Sequence, residues 1–236
     1  MGSHYGLKVA KNSSVSLAPK GELFCDSLAS NLKGLEIIIP PTAYPKGAVL
    51  FMEGQTARGI FAVCGGKVKL STASREGKTI ILKIAEAGEL LGLPATLSDK
   101  PYEMTAEVSE PAWVNFVPRS SFLRFLQANP AAAIQVAQHL MNSHYTDHEV
   151  IQSLGLSRCA SEKLARFFLG WSANHSRGQD RLRIALTQTE IGEMIGVSRE
   201  TVTRLLTDFK KRNLLTVKGI TVNICNRAAL QALAGA

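Results

Sequence analysis

Across residues 35–116 the apolar positions come in short runs, one every eight to twelve residues or so, with glycine between them. The runs are residues 48–51, 60–63, 67–71, 79–85 and 112–117, and Gly47, Gly54, Gly65, Gly66, Gly77 and Gly88 fall among them. This rhythm predicts antiparallel strands closed into a sandwich or barrel, because glycine supplies the positive φ that tight hairpins need. Val68 and Leu70 alternate with lysines, which marks a strand with one wet face.

After Pro118 the period lengthens to that of helices. Residues 120–126 read as a short helix, and residues 130–154 as a long one with Pro130 in its first turn and no internal glycine or proline. On the long helix Ala133, Ala137, Leu140, His144, Ile151 and Leu154 recur three or four apart with one gap. Such a stripe calls for a partner helix, most simply its own copy in a homodimer; packing on the strand domain is the alternative, and both contacts can coexist. Residues 156–173 make another helix, with Leu164, Phe167, Phe168 and Trp171 on one side, and the polar stretch 174–183 ends it. The chain thus divides into a strand domain at 20–129, a long helix at 130–155 and a helical domain at 156–236, an α+β protein.

The last domain carries the sharpest local signals. Thr187-Gln188-Thr189-Glu190 is a capping box, Ile191, Met194 and Ile195 follow on one side, and Gly196-Val197 turns into Ser198, a good N-cap for a second helix. Two short helices joined by a glycine turn make a helix-turn-helix. On the second helix Val202, Leu205, Leu206 and Phe209 suit the inside, while Arg199, Glu200, Thr203 and Arg204 are expected outside near its front, where such helices enter the major groove. Arginine can bond guanine O6 and N7 together and a carboxylate can accept from cytosine N4, so Arg199, Glu200 and Arg204 are the candidate base readers. Thr187, Ser198, Thr201 and Thr203 are candidate phosphate-positioning groups. Two apolar runs, 214–217 and 220–224, flank Lys218-Gly219 and predict a hairpin wing with Lys218 at its tip, a further phosphate contact.

Charge sharpens this picture. The net charge is +8; residues 156–236 carry 13 Lys and Arg against 6 Asp and Glu, whereas residues 1–155 carry 14 against 13. A basic domain joined to a neutral one suits a double-stranded DNA partner. No apolar run nears the roughly 18 residues of a membrane span, and the start lacks a signal-like apolar core, so the expectation is a cytoplasmic protein with no membrane partner. Cys25, Cys64, Cys159 and Cys225 are far apart without a CxxC pair, which speaks against a disulfide framework, a zinc finger or a close-spaced cluster. An enzymatic metal roll is disfavoured too, because residues 35–116 contain no histidine.

Residues 44–70, YPKGAVLFMEGQTARGIFAVCGGKVKL, and residues 186–206, LTQTEIGEMIGVSRETVTRLL, resemble the cyclic AMP receptor protein (CRP) and fumarate-nitrate reduction (FNR) regulator family. The resemblance implies an N-terminal cyclic-nucleotide-binding-type β-roll (jelly roll), a long dimerisation helix and a C-terminal winged helix-turn-helix. It implies no enzyme but a transcription regulator: a homodimer on a palindromic site, with RNA polymerase as a further partner of an activator. Arg199, Glu200 and Arg204 match the RExxxR base readers of the CRP branch, which implies TGTGA-like half-sites; the FNR branch has different side chains there.

The effector site departs from the cyclic AMP pattern. That branch binds ribose with a Gly-Glu pair and the cyclic phosphate with an Arg-Ser pair, but the aligned residues here are Gly92-Leu93 and Met104-Thr105. Without that cation a buried phosphate is costly, so cyclic AMP is not expected. The cysteine cluster of the iron-sulfur branch is also missing, with Cys25 standing alone. No cofactor is assigned; what remains is an unknown small-molecule effector near Gly88, Gly92, Leu93, Met104, Thr105 and the long helix, or none. His144 and His148, beside Asp147 and Glu149, have the spacing of a ligand pair, but a solvated helix face is the ordinary reading and no metal is assigned.

Overall fold

A computed structural model describes residues 41–157, 159–175 and 180–235. Among the described residues, six strands and two short helices form the first domain: β1 (Thr42–Tyr44), β2 (Val49–Phe51), β3 (Gly59–Ala73), β4 (Thr79–Ala85), β5 (Leu90–Leu91), α1 (Leu93–Ser98), β6 (Thr105–Pro118) and α2 (Arg119–Ala128). Strand order is β1-β6-β3-β4, with β2 also on β6 and β5 on β3, and every pairing is antiparallel.

This rolled sheet buries apolar residues inside and, where helices cover it, outside as well. Inside, Phe51 stacks on Tyr102 with ring centroids 4.0 Å apart, Phe51 also meets Phe61, and Phe61 meets Phe116. Val68, Val108, Val114 and Ala106 complete that core. Outside, Ile60, Ala62 and Val117 receive Leu93 of α1, Phe122 of α2, and Ala132 and Val136 of the long helix. Phe122 is wholly buried, worth about 3 kcal/mol by transfer of its ring from water.

One expectation about the roll is corrected. Gly65 and Gly66 do not turn the chain between two strands; residues 59–73 are one strand, paired with β6 through most of its length. The register shifts between Val63 and Lys67, and Gly66 has φ +77°, so the glycines form a bulge. A Cβ on Gly66 would lie 2.2 Å from the Pro111 carbonyl oxygen, which is why no larger residue fits there.

The long helix, α3 (Pro130–Leu156), has two apolar faces near its start. Ala132 and Val136 are buried on the roll and Leu140 is partly buried beside them, so Leu140 of the expected partner-helix stripe also packs on the strand domain. Ile134 and Met141 are 61% and 52% exposed, and Ala137 lies exposed with them. His144, Ile151 and Leu154 belong to the helix, as does His148, but their side chains lie outside the described residues, as does residue Cys25.

The last domain comprises α4 (Ala160–His175), β7 (Arg181–Arg183), α5 (Gln188–Ile195), α6 (Arg199–Lys211), β8 (Leu215–Lys218), β9 (Thr221–Ile224) and α7 (Arg227–Leu233). The helix expected from residue 156 starts at Ala160, because Ser157 is extended and breaks the run from α3. The polar stretch after α4 contains a strand that its composition hid: β7 joins the wing in the order β7-β9-β8. Leu164, Phe168 and Trp171 of α4 share one core with Ile191, Ile195, Val202, Leu206 and Phe209 of the helix pair and with Leu182, Leu215, Val222 and Ile224 of the wing.

Candidate nucleic-acid interface

The first helix of the pair begins as its sequence dictates. Thr187 Oγ1 accepts from the Glu190 amide (3.1 Å), and Glu190 Oε2 accepts from the Thr187 amide (2.8 Å) and hydroxyl (2.9 Å). Two of the amides left unpaired at a helix start are satisfied this way. The helix ends at Gly196, which has φ +70° and donates its amide to the Gly192 carbonyl. Ser198 then caps α6, its hydroxyl accepting from the Thr201 amide at 3.3 Å.

Gly192 was not singled out from sequence, yet it sets the angle of the pair. The Val197 amide donates to its carbonyl at 2.9 Å, and a Cβ built on it would meet the Val197 carbonyl oxygen at 2.7 Å. The returning turn therefore lies flat against the helix only because position 192 has no side chain. A small residue four before the turn glycine is the signal that sequence offered.

On α6, Val202, Leu206 and Phe209 are buried, whereas Arg199, Glu200, Thr203 and Arg204 are exposed. The three candidate base readers thus share the free side of one helix. Glu200 is held below the usual carboxylate range by its own backbone amide, then by the Ser198 hydroxyl and the Arg199 charge, so it stays an acceptor-only anion. Thr203 Oγ1 lies within hydrogen-bond reach of Gln188 Oε1 and 3.0 Å from the Arg199 carbonyl, so its hydroxyl ties α6 to α5. Thr187 and Ser198 are likewise engaged as caps, and Thr201 Oγ1 is 3.2 Å from Ser198 Oγ. Lys218 ends β8 beside Gly219, exposed at the wing tip where φ is +59°.

The helix pair also touches the roll. Helix α5 packs against β4, and Lys69 of β3 sits between Glu107 (3.5 Å) and Glu190 Oε1 (3.9 Å). Partial burial, and behind it the charges of Glu190 and Glu107, raise the Glu193 carboxyl above its usual range, with Lys69 acting the other way. One lysine therefore serves three carboxylates where the two domains meet.

Of the five positions expected to border an effector, Leu93 and Met104 lie against different apolar clusters: Leu93 is buried in the outer one with Phe122, whereas Met104 lies against the inner one. Gly92 faces the Tyr102 ring, where a Cβ would come within 2.6 Å, and the Tyr102 hydroxyl donates to the Gly59 carbonyl at 2.6 Å. Thr105 Oγ1 accepts from the Glu53 amide, and the Gly88 amide donates to the Val63 carbonyl. With Leu93 apolar and buried, and Met104-Thr105 in place of a cation, these residues do not fit a cyclic nucleotide. Nor do the cysteines among the described residues gather for an iron-sulfur cluster: Cys64 belongs to β3, Cys159 precedes α4, and Cys225 follows β9. Among the described residues no three His, Cys, Asp or Glu side chains gather as a metal site.

Comparison with known proteins agrees with this anatomy. Residues 41–129 match the model of the cyclic nucleotide-binding domain, and residues 162–233 that of the Crp-like helix-turn-helix domain. The chain is 31% identical over 193 residues to the fumarate and nitrate reduction regulatory protein of Vibrio cholerae, covering 80% of this chain and 76% of that one. The chain belongs to the CRP/FNR family of transcription regulators. The transcriptional activator protein anr of Pseudomonas aeruginosa is another CRP/FNR relative, 29% identical over 85% of this chain and 82% of its own. Among solved structures, FixK2 from Bradyrhizobium japonicum superposes with a TM-score of 0.72 at 22% identity, covering 83% of this chain and 97% of that one. A CooA mutant from Carboxydothermus hydrogenoformans gives 0.70 at 23%, covering 82% and 87%. Like these relatives, this CRP/FNR member is a DNA-binding regulator and not an enzyme, and among the described residues no helix is long and apolar enough to cross a membrane.

Proposed function

We propose that the chain binds a palindromic DNA site with TGTGA-like half-sites as a homodimer, each α6 reading base edges in one major groove. The observation that carries this reading is the joint exposure of Arg199, Glu200 and Arg204 on a helix whose opposite side is the domain core. Their types suit guanine and cytosine edges. Although the relatives named above are fumarate and nitrate reduction regulators and an activator, these three residues follow the CRP branch, so TGTGA-like sites are favoured over the sites of those relatives.

Phosphates on either side are held by Lys218 at the wing tip and by the helix starts at Thr187, Ser198 and Thr201, with Thr203 bracing the two helices. These contacts fix orientation and carry no sequence information. Activation through RNA polymerase is in keeping with the named activator relative.

The test is a titration of labelled duplex carrying a TGTGA palindrome against a scrambled duplex at two salt concentrations. Wild-type protein is expected to prefer the palindrome by roughly 1,000-fold or more, with the preference surviving added salt. Equal binding to both duplexes sinks the reading.

The dimer has its own test. Ile134 and Met141 lie two turns apart, with exposed Ala137 between them, opposite the residues that hold the roll, which suits a second copy of α3. Ile134→Glu with Met141→Glu is expected to yield a folded monomer in sedimentation, whereas Leu140→Glu unfolds the roll first. A double variant that remains dimeric excludes this face from the seam.

A further inference from the structure

The wing sheet has a second face, of which only Lys218 at the tip has so far been given a role. Its inner face, Leu182, Val222 and Val217 in register, closes the domain core. Because residues paired across an antiparallel sheet point the same way, the alternate positions form two outward ranks. One is Lys218, Thr221 and Arg183; the other is Thr216, Asn223 and Arg181. Lys218, Thr216, Arg181 and Arg183 are exposed, and Asn223 Nδ2 donates to Thr216 Oγ1 at 3.5 Å.

This face holds three cations, two hydroxyls and an amide, and no acid. Among the described residues neither Arg181 nor Arg183 has an ion-pair partner; the adjacent Asp180 is taken by Arg227 at 2.8 Å. The face is also continuous with the candidate interface. Its first rank ends in Lys218 at the wing tip, and the Ile184 amide, just beyond β7, is bonded to the Ile220 carbonyl at 2.7 Å. Three residues further on lies Thr187, the cap of α5. Each rank spans two strand spacings, about 10 Å.

We propose that the outward face of the wing sheet is a phosphate-binding surface on which Arg181 and Arg183 hold the DNA backbone flanking the half-site. This rests on the reading of α6 as the groove-entering helix. An unpaired guanidinium on a rigid strand is well suited to the role: it presents several donors in a fixed fork, and ladder hydrogen bonds hold its backbone in place. The contact reads no bases. It lengthens the footprint and adds to the counterions released on binding.

The experiment compares wild type with the Arg181→Ala/Arg183→Ala variant by fluorescence anisotropy over roughly 50 to 200 mM salt. Two duplexes are used: one ends at the outer edge of the palindrome, and the other continues for about ten base pairs, one helical turn, on each side. Four charges are removed per dimer, so on the long duplex the slope of log affinity against log salt is expected to flatten by about 3.6. Across that range wild type then loses roughly 100-fold more affinity than the variant. The preference for palindrome over scrambled duplex stays the same, the short duplex hardly registers the change, and Arg181→Lys/Arg183→Lys restores the slope.

An unchanged slope on the long duplex overturns the proposal. So does an equal change on both duplexes, which would move the contact inside the half-site. A variant that binds DNA as wild type but fails to activate RNA polymerase would make the face a protein-docking surface, again against the proposal. If wild type shows no palindrome preference, the base-reading assignment fails instead, while the slope comparison on long scrambled duplex still reports on the wing.

Discussion

Arg204→Ala is expected to weaken binding to the TGTGA palindrome by about 1 to 3 kcal/mol per half-site, roughly 5- to 150-fold, and to relax discrimination at a single G·C position. The side chain is exposed on the free side of α6, so its removal leaves Val202, Leu206 and Phe209 undisturbed and the melting temperature unchanged. Anisotropy against a panel of half-sites, each altered at one base pair, separates lost base reading from lost charge. A base reader's removal equalises the panel at one position, while a phosphate contact's removal lowers every affinity alike. If Arg204→Ala keeps wild-type preference throughout the panel, the assignment of base contacts is wrong.

A larger loss is expected from Gly192→Val. The position is helical, where exchanging glycine for alanine ordinarily gains up to about 1 kcal/mol. Here even the first added carbon would sit 2.7 Å from the Val197 carbonyl oxygen, a backbone atom fixed by the turn and unable to swing away. Overpacking of this kind costs about 1 to 3 kcal/mol, and valine adds the crowding of its branched carbon. The two helices must open, which tilts α6 away from any groove. Gly192→Val is therefore expected to abolish specific binding and lower the melting temperature by several degrees, with Gly192→Ala intermediate in both. Circular dichroism melts and the palindrome titration check it; wild-type binding by the valine variant would mean that the turn yields at no cost.

The contrast between these two residues explains what the sequence could disclose. The helix-turn-helix was legible because its determinants are local: a threonine and glutamate three apart, a glycine at the end, a serine at the next start, each acting on its own backbone. Gly192 escaped notice since its constraint comes from Val197 folding back, which spacing alone does not announce. Strand β3 escaped for a related reason. Gly65 and Gly66 have the composition of a turn, and only the continued pairing with β6, more than forty residues away, keeps the strand going through them.

The long helix posed a different ambiguity. Leu140, Ile134 and Met141 are all large and apolar, yet three-residue and four-residue steps connect them to either side of the helix. The roll selects Val136 and Leu140, leaving Ile134 and Met141 outside. Likewise β7 was hidden in a polar stretch because only one of its three residues, Leu182, faces the core. Tyr102, whose ring lies over Gly92, was not among the positions expected to border an effector, because that contact joins residues ten apart, on either side of α1.

The two oxygens of Glu190 divide their duties. Oε2 closes the start of α5 on Thr187, while Oε1 faces Lys69 across the boundary between domains. Separation of the helix pair from the roll would thus break the second contact and spare the first. The start of α5 therefore owes its closure to groups within the last domain alone, and the boundary with the roll draws on an oxygen that the cap leaves over.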